Sequence, residues 1–570
     1  MKIPVVLLAL AAGLGASAGA AVEAPAELVL LHGKIHTEDR DRSLAQAMAL
    51  SGNTIVAVGT DRAVRKWLGP ASQVVDLRGR VVLPGIIDAH THPADGALQL
   101  GRCSLGDELL APAAIKARVA ACLRKSPGDR SAWFQVVQVN SSGLALTLNE
   151  LDSMLAERPF TLYETSGHSL WANSAALAAA GISAATPDPT GGRIEHDAAG
   201  NPTGTLRDAA MDIVLNATPP ASLEVEARQL DRTLKAMRAT GITSVQDAAV
   251  DEHLMRIYRR LYTLRRLKMR VRGAFLLSDL GEPTGVLIAR AIKFRDSWAV
   301  DPDFLRADAI KIYGDGDIEY PGQTASLLEP YLDAAGRPTE NRGPSYYTQE
   351  NLEHLVTAAD AAGFSVHVHA IGDRAVRSAL DAFAAARRQN GPLDNRHQLA
   401  HLELVDPADF PRFRELGVIA NLQLLWAQLD DYMTAATIPY LGPERSRHLY
   451  PARELYDAGA LIAGGSDWNV SSYNAFIAME HAITRSNAQG EPPLLPEQAI
   501  GLQQMVDAYT INAAYALKQE RTTGSLEPGK RGDFIVLDRD IFAIDPFQLH
   551  RTRVLATYLD GRKVYAARAK

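Results

Sequence analysis

The chain has 570 residues, 47% hydrophobic and 22% charged, the values of a globular protein able to bury a large core and to fill more than one domain. With 59 basic and 66 acidic residues the formal charge is −7, and no long block carries one sign, which argues against nucleic acid as a partner. Two cysteines, Cys103 and Cys122, are too few to specify a disulfide-built scaffold, although an oxidising compartment would let them pair.

Taken in order, the chain opens with Lys2, an apolar stretch from Ile3 to about Leu14 and small residues ending Ala18-Gly19-Ala20, the layout of an export signal cleaved after Ala20. The apolar run is shorter than the roughly 20 residues that cross a bilayer, and no later segment is long and apolar enough to do so. The mature protein is therefore expected to be periplasmic or secreted and free of the membrane. The segments 27–37, 47–59 and 73–83 bunch β-formers between Gly, Asn and Asp turns and read as short strands joined by hairpin-like turns, a style that returns at 524–540 and 553–567.

Between these ends, apolar strand-like runs alternate with Ala-rich helical stretches such as 349–363 and 373–388. That is the βα rhythm of a parallel sheet or barrel. Eight core strands are predicted near 84–90, 242–248, 271–277, 308–315, 365–370, 397–403, 418–424 and 461–467, and eight is the number of a TIM barrel. The interval from about 95 to 240 far exceeds a usual βα connection of ~2 to 6 residues and marks an inserted substructure. Its Gly- and Pro-rich stretch 187–204 reads as loops over the barrel mouth.

The chemistry gathers where strands meet loops. His90 and His92 end the apolar run 81–92, and in an extended strand residues two apart face the same way, so both imidazoles are able to grip one cation. Four more strand-like segments close on a residue able to bind metal: Lys311 in DAIKIYGDG, His369 in FSVHVHAIGD, His401 in RHQLAHLELV and Asp467 in LIAGGSD. Loops that follow the strands of a barrel share one face, so ligands this far apart in sequence can converge there. Periodicity does not choose between His367 and His369, or between His397 and His401, because each pair shares a strand face.

This ordered set, PGIIDAHTH, GHSLWANSAAL, KIYGDG with TASLLEPY, HVHAIGDRA, AHLEL, GGSDW and TINAAYAL, resembles the amidohydrolase superfamily and its amidohydrolase-3 branch from about residue 27 onward. The resemblance implies a metal-dependent hydrolase on an α/β TIM (β/α)8 barrel, residues 84–519. A small β-sandwich from both chain ends, 21–83 with 520–570, would sit beside it. It implies one or two divalent ions, zinc foremost, with His90, His92 and Asp467 on one and His369 and His401 on the other. It selects His369 and His401 because the branch places its ligands before AIGD and Leu402-Glu403. It further implies that Lys311 adds carbon dioxide and bridges the two metals as a carbamate.

Asp467 has a second expected role. A carboxylate beside the metal site can accept the proton of attacking water and return it to the leaving nitrogen. His168 is a candidate hydrogen-bond donor to the substrate carbonyl. Trp171, Tyr320, Trp426 and Trp468 are candidate pocket residues, and Asp373 and Arg374 are expected to orient the loop and helix after His369. The reading is hydrolysis of a non-peptide, amide-type carbon–nitrogen bond in a small molecule. Cyclic amide, carbamate or ester hydrolysis by the same site is the alternative, and a non-catalytic binding protein is the alternative of another class. Homo-oligomerisation is left open.

Overall fold

In the computed structural model, which describes residues 24–125, 132–219, 221–277, 281–487 and 491–568, the run Ile86–Thr91 is buried along its whole length. Continuous apolar strands of this kind require cover on both faces, and a parallel barrel provides it. Eight strands do so: β1 (Ile86–Thr91), β2 (Ile242–Val250), β3 (Arg270–Leu276), β4 (Leu305–Tyr313), β5 (Ser365–Ala370), β6 (Gln398–His401), β7 (Ile419–Leu422) and β8 (Leu461–Gly464). They lie in the order 8-7-6-5-4-3-2-1, each parallel to the next. The seam between β8 and β1 is joined just past the strand ends, where Asp467 N–H donates to His90 O (2.8 Å) and His92 N–H to Trp468 O (2.6 Å). The α/β TIM barrel expected from the sequence is thus the observed fold.

Register carries the site residues to one rim. Lys311 on β4 lies opposite His367 on β5, Tyr313 opposite His369, and Ala370 opposite His401 on β6. Helices cover the outside, several with side-chain caps at their starts, such as Asp251 accepting from Leu254 N and Thr348 from Asn351 N.

Both chain ends meet in one six-stranded sheet, ordered Arg562–Ala566, Val554–Leu559, Phe534–Leu537, Val81–Pro84, Lys34–His36 and Leu44–Ala45. A four-stranded sheet, Thr54–Gly59, Ala47–Ser51, Leu28–Leu31 and Gln73–Asp76, shares a core with it, in which Leu30, Met48 and Leu50 pack with Val82, Phe534 and Tyr558. Arg270 at the start of β3 anchors this unit to the barrel through Asp533 (2.8 Å) and Asp560 (2.6 Å).

The insertion is more ordered than its composition suggested. It holds a six-stranded sheet, Gly192–His196, Pro202–Asp208, Ser169–Ala172, Phe160–Glu164, Phe134–Val139 and Cys103–Ser104. The stretch 187–204, expected as loops, is largely a β-hairpin, because its Gly and Asp residues make the turn at Asp197–Asn201 while the flanking residues pair Ile194 with Leu206. Cys103 and Cys122 form a disulfide with Cα atoms 5.8 Å apart, tying the edge strand to the helix Pro112–Lys125. No helix among the described residues is long and apolar enough to cross a membrane, and the expected export signal, residues 1–20, lies outside the described residues.

Candidate active site

The end of β1 and the turn after β8 hold each other in place. Asp88, buried within β1, accepts hydrogen bonds from Ser466 N (2.9 Å) and Ser466 Oγ (2.5 Å), and the seam bonds continue past it. Burial pushes the Asp88 carboxyl up to about 7. Gly465 is required at this crossing, since a Cβ there would stand 2.6 Å from His90 Cβ and 2.7 Å from Gln423 Nε2. Asp467 follows with φ of 50°, a left-handed conformation that Asp tolerates better than most residues. The turn directs its carboxylate at β1: Oδ1 lies 3.3 Å from His90 Nε2 and 3.0 Å from His92 Nε2.

These three residues bring ligand atoms within 4.8 Å of one another. His90 Nε2, Asp467 Oδ1 and both ring nitrogens of His401 are buried, and apart from the close approaches within the His90, His92 and Asp467 group none has a hydrogen-bond partner. Unpaired buried polar atoms are costly, and a cation is what this donor set of imidazole and carboxylate would satisfy. His90 is aimed by His367, whose Nε2 lies 2.7 Å from His90 Nδ1 and whose Nδ1 faces Gln246 (3.0 Å) and Gln398 (3.2 Å). That support leaves Nε2 of His90 toward the site. Burial, reinforced by Lys311, holds His90 down to about 3, so its imidazole is neutral as a ligand must be. Burial alone would raise Asp467, but His90 and His92 outweigh it and hold the carboxylate well below its usual range.

His369 and His401 complete an arc of imidazoles. Their ring centroids are 4.4 Å apart, His401 lies 4.8 Å from His90, and His369 lies 5.0 Å from His168. His369 Nε2 is 3.1 Å from Gly316 O, while His401, with φ of 77°, stacks on Trp426 at 5.5 Å. Lys311 is buried in the same cavity, its Nζ 4.9 Å from the Tyr313 ring centre, and burial lowers its ammonium to about 8. Asp315 is occupied elsewhere, accepting from Ile371 N, Gly372 N and Ser326 N at 2.8–3.0 Å. These bonds shape the loop after β5. His397, by contrast, is taken up by Asp360 (3.0 Å) and Val366 N (3.1 Å).

His168 reaches the cavity from the insertion. Its Nδ1 is 2.6 Å from Asp208 Oδ1, and although burial opposes the charge, this carboxylate raises the imidazole to about 9. It is a cationic donor at neutral pH. Sequence reasoning missed Asp208, which lies 40 residues away; the antiparallel register that pairs Ser169 with Arg207 brings the two together.

The cavity has a volume of about 580 Å³ and includes His90, His92, His168, Lys311, His369, His401, Trp426 and Asp467 in its walls. The other aromatic candidates lie elsewhere. Trp171 is buried in the core of the insertion with Leu105, Val136 and Phe160, Tyr320 is exposed and stacks on Tyr440, and Trp468 packs over Gly96. Asp373 accepts from Leu328 N (2.8 Å), and Arg374 bonds Ser326 Oγ (2.6 Å) and Gly343 O (2.7 Å), so both fasten the 326–343 segment to the helix rather than touching an imidazole. A second group of wall residues, Asp107, Glu319, Glu403 and Asp430, was not singled out from sequence. They come from four separated loops. Burial pushes Glu403 up to about 8 and Glu319 well above the usual carboxylate range, and repulsion from Asp317 adds to both.

The geometry agrees with comparisons to known proteins. The chain is 30% identical over 565 residues to N-substituted formamide deformylase of Arthrobacter pascens, covering 94% of this chain and 97% of that protein. Among solved structures, an uncharacterized metal-dependent hydrolase from Pyrococcus horikoshii superposes with a TM-score of 0.70 at 20% identity, covering 91% of this chain and 99% of that one. Atrazine chlorohydrolase TrzN from Arthrobacter aurescens, complexed with zinc, gives a TM-score of 0.52 at 16% identity, with 95% of each chain covered. The model of the amidohydrolase family matches residues 73–565, nearly the whole described chain, and the protein is therefore a member of the amidohydrolase family, hydrolases acting on carbon–nitrogen bonds.

Proposed function

We propose that this enzyme hydrolyses a non-peptide amide of a small molecule, with N-acyl or N-formyl amines as the first substrate class. The observation that carries the reading is the set of buried ligand atoms on His90, His401 and Asp467 that find no hydrogen-bond partner outside their own group, opening into a cavity that also presents a cationic His168. His90, His92 and Asp467 would hold a divalent ion, with His369 and His401 as ligands for a second. Zinc suits this donor set and is present in the triazine-hydrolysing neighbour. A divalent ion held there would supply Lewis acidity, lowering the pKa of water to roughly 7 and polarising a carbonyl.

The chain's own groups do the rest. Asp467, ionised and next to both imidazoles, accepts a proton at its carboxylate and returns it to the departing nitrogen, so that the amine leaves neutral. The His168 imidazolium donates a hydrogen bond to the carbonyl oxygen as negative charge builds there, and Asp208 keeps it charged and oriented. Lys311, lowered by burial, has a free-amine fraction at neutral pH whose nitrogen would bond the carbon of carbon dioxide and lose one proton, leaving an anionic carbamate as a ligand. The signal-like residues 1–20 and the bridged cysteines support an exported enzyme.

Metal analysis of the purified protein, paired with a screen of formamides and acetamides for amine release, tests the proposal. Bound metal and metal-dependent amine release are expected. A metal-loaded protein inert toward every amide in the panel overturns the substrate class.

A further inference from the structure

The cavity is electrically lopsided. Its walls carry nine acidic side chains, whereas Lys311 is the sole lysine or arginine among the described wall residues. The imidazoles, Lys311 and Asp467 form one end. Asp107, Glu319, Glu403 and Asp430 form a second group, with Tyr432 and Tyr450 beside it.

Hydrogen bonds and mutual repulsion show that this second group is a unit. Tyr432 Oη donates to Asp107 Oδ1 (2.9 Å), and Tyr450, bonded through its hydroxyl to the Glu403 carboxyl, feels Glu319 and Asp430 as well. Glu403 repels Glu319, and Asp430 repels Glu403. Glu403 is 2% exposed, and its Oε2 is buried with no hydrogen-bond partner. An unpaired buried carboxyl oxygen beside further carboxyls is costly, and a positive group seated among them would offset that cost and draw the carboxyls into their charged form.

A metal ion fits poorly here. Among the described residues, the one group of three ligating side chains with atoms close enough for an ion is His90, His92 and Asp467. The acidic group instead offers several carboxyls, two of them bonded by tyrosine hydroxyls, surroundings that suit an organic cation. Resting on the hydrolase reading above, we infer that the substrate carries an organic cation, an ammonium or amidinium, seated among Glu319, Glu403 and Asp430 while its amide lies at the imidazole end. The two ends sort the substrate by charge. A neutral chain of the same length would leave the carboxyls unpaired and dehydrated, and so would be rejected.

The test uses matched pairs on the metal-loaded enzyme: the formamide and acetamide of 1,4-diaminobutane, each with a free ammonium, against those of 1-aminopentane, which end in a methyl group. The cationic members are expected to have a kcat/KM at least about tenfold higher at low salt, with the preference shrinking as salt screens the carboxyls. In Glu319→Gln/Glu403→Gln that ratio falls toward one. Calorimetric titration with pentylammonium and with 1-pentanol gives a readout free of turnover and needs only the wild type, so a double variant that fails to fold does not blunt the test. Pentylammonium is expected to bind at least about tenfold tighter. Equal turnover of cationic and neutral amides, or equal binding of the two alcohol-sized probes, overturns the inference and leaves the hydrolase reading intact. Selective binding of pentylammonium without hydrolysis of any amide supports the cation site and overturns the amide substrate class.

Discussion

Asp208→Asn probes the mechanism without removing any group that would touch a metal. Asp208 holds His168 at 2.6 Å and is the chief reason its imidazole is raised to about 9 against burial. With the carboxylate gone, burial acts with less opposition, and the pKa should fall toward or below the ordinary value of 6.5. At pH 7.5 nearly all of the wild-type population carries the imidazolium, whereas a group with a pKa of about 6.5 is protonated in about one molecule in ten. If the imidazolium is the donor to the carbonyl oxygen, kcat/KM at pH 7.5 should drop about tenfold and recover on acidification until the metal site itself is protonated. Stability follows the same sign. A raised folded-state pKa contributes stability that is complete below about 6.5 and is lost as pH rises through about 9, so the wild type should lose melting temperature over that window and the variant should not. The assay is a pH profile of kcat/KM for both proteins at fixed free metal. An alkaline limb that stays in place in Asp208→Asn would refute the role assigned to His168.

His90→Ala and His92→Ala should each lose bound metal and hydrolysis while circular dichroism stays native, and added zinc should no longer raise the melting temperature; full metal content in either variant would show the site to be misassigned. Lys311→Ala should lose activity and at least one metal, with partial return on adding short carboxylic acids, and an intact-mass measurement showing an unmodified lysine in the fully active enzyme would exclude the carbamate. Asp467→Asn keeps a ligand oxygen but not the proton acceptor, so turnover should fall roughly 10²- to 10⁴-fold with much of the metal retained; near-normal turnover would sink the proton-transfer role. Cys103→Ser opens a loop of 19 residues, for which chain entropy gives a loss of about 3 kcal/mol, read as a lower denaturation midpoint of the insertion, and an unchanged midpoint would show that the bridge constrains little.

What the sequence made legible follows the reach of its periodicities. A strand repeats every two residues, so His90 and His92 were readable as a pair, and the point where each apolar run meets a loop marked the barrel rim at Lys311, His369, His401 and Asp467. Depth along the barrel axis was not readable. His367 and His369 share a face, and it is the neighbours Gln246 and Gln398, delivered by β2 and β6, that claim His367 and leave His369 to the cavity. Aromatic residues carried even less positional signal: Trp171, Tyr320 and Trp426 are alike in composition terms, yet only Trp426 sits against an imidazole of the site, because the η-turn Leu424–Trp426 follows β7 at the rim.

The insertion shows the opposite limit. Its Gly- and Pro-rich stretch was read as loops because turn residues dominate the composition, but turns placed between alternating residues make a hairpin, and that hairpin supplies the strand bearing Asp208. The partner that charges His168 thus depends on a pairing between strands that no local pattern announces. The acidic end is harder still, since Asp107, Glu319, Glu403 and Asp430 sit on four loops whose convergence is a property of the closed barrel. Chemistry that belongs to one strand end can be read from the chain, while selectivity that belongs to the space between loops emerges only when the barrel closes. This division matches the physical roles: the strand ends rigidly fix the reacting groups, and the loops above them are free to differ in what they admit.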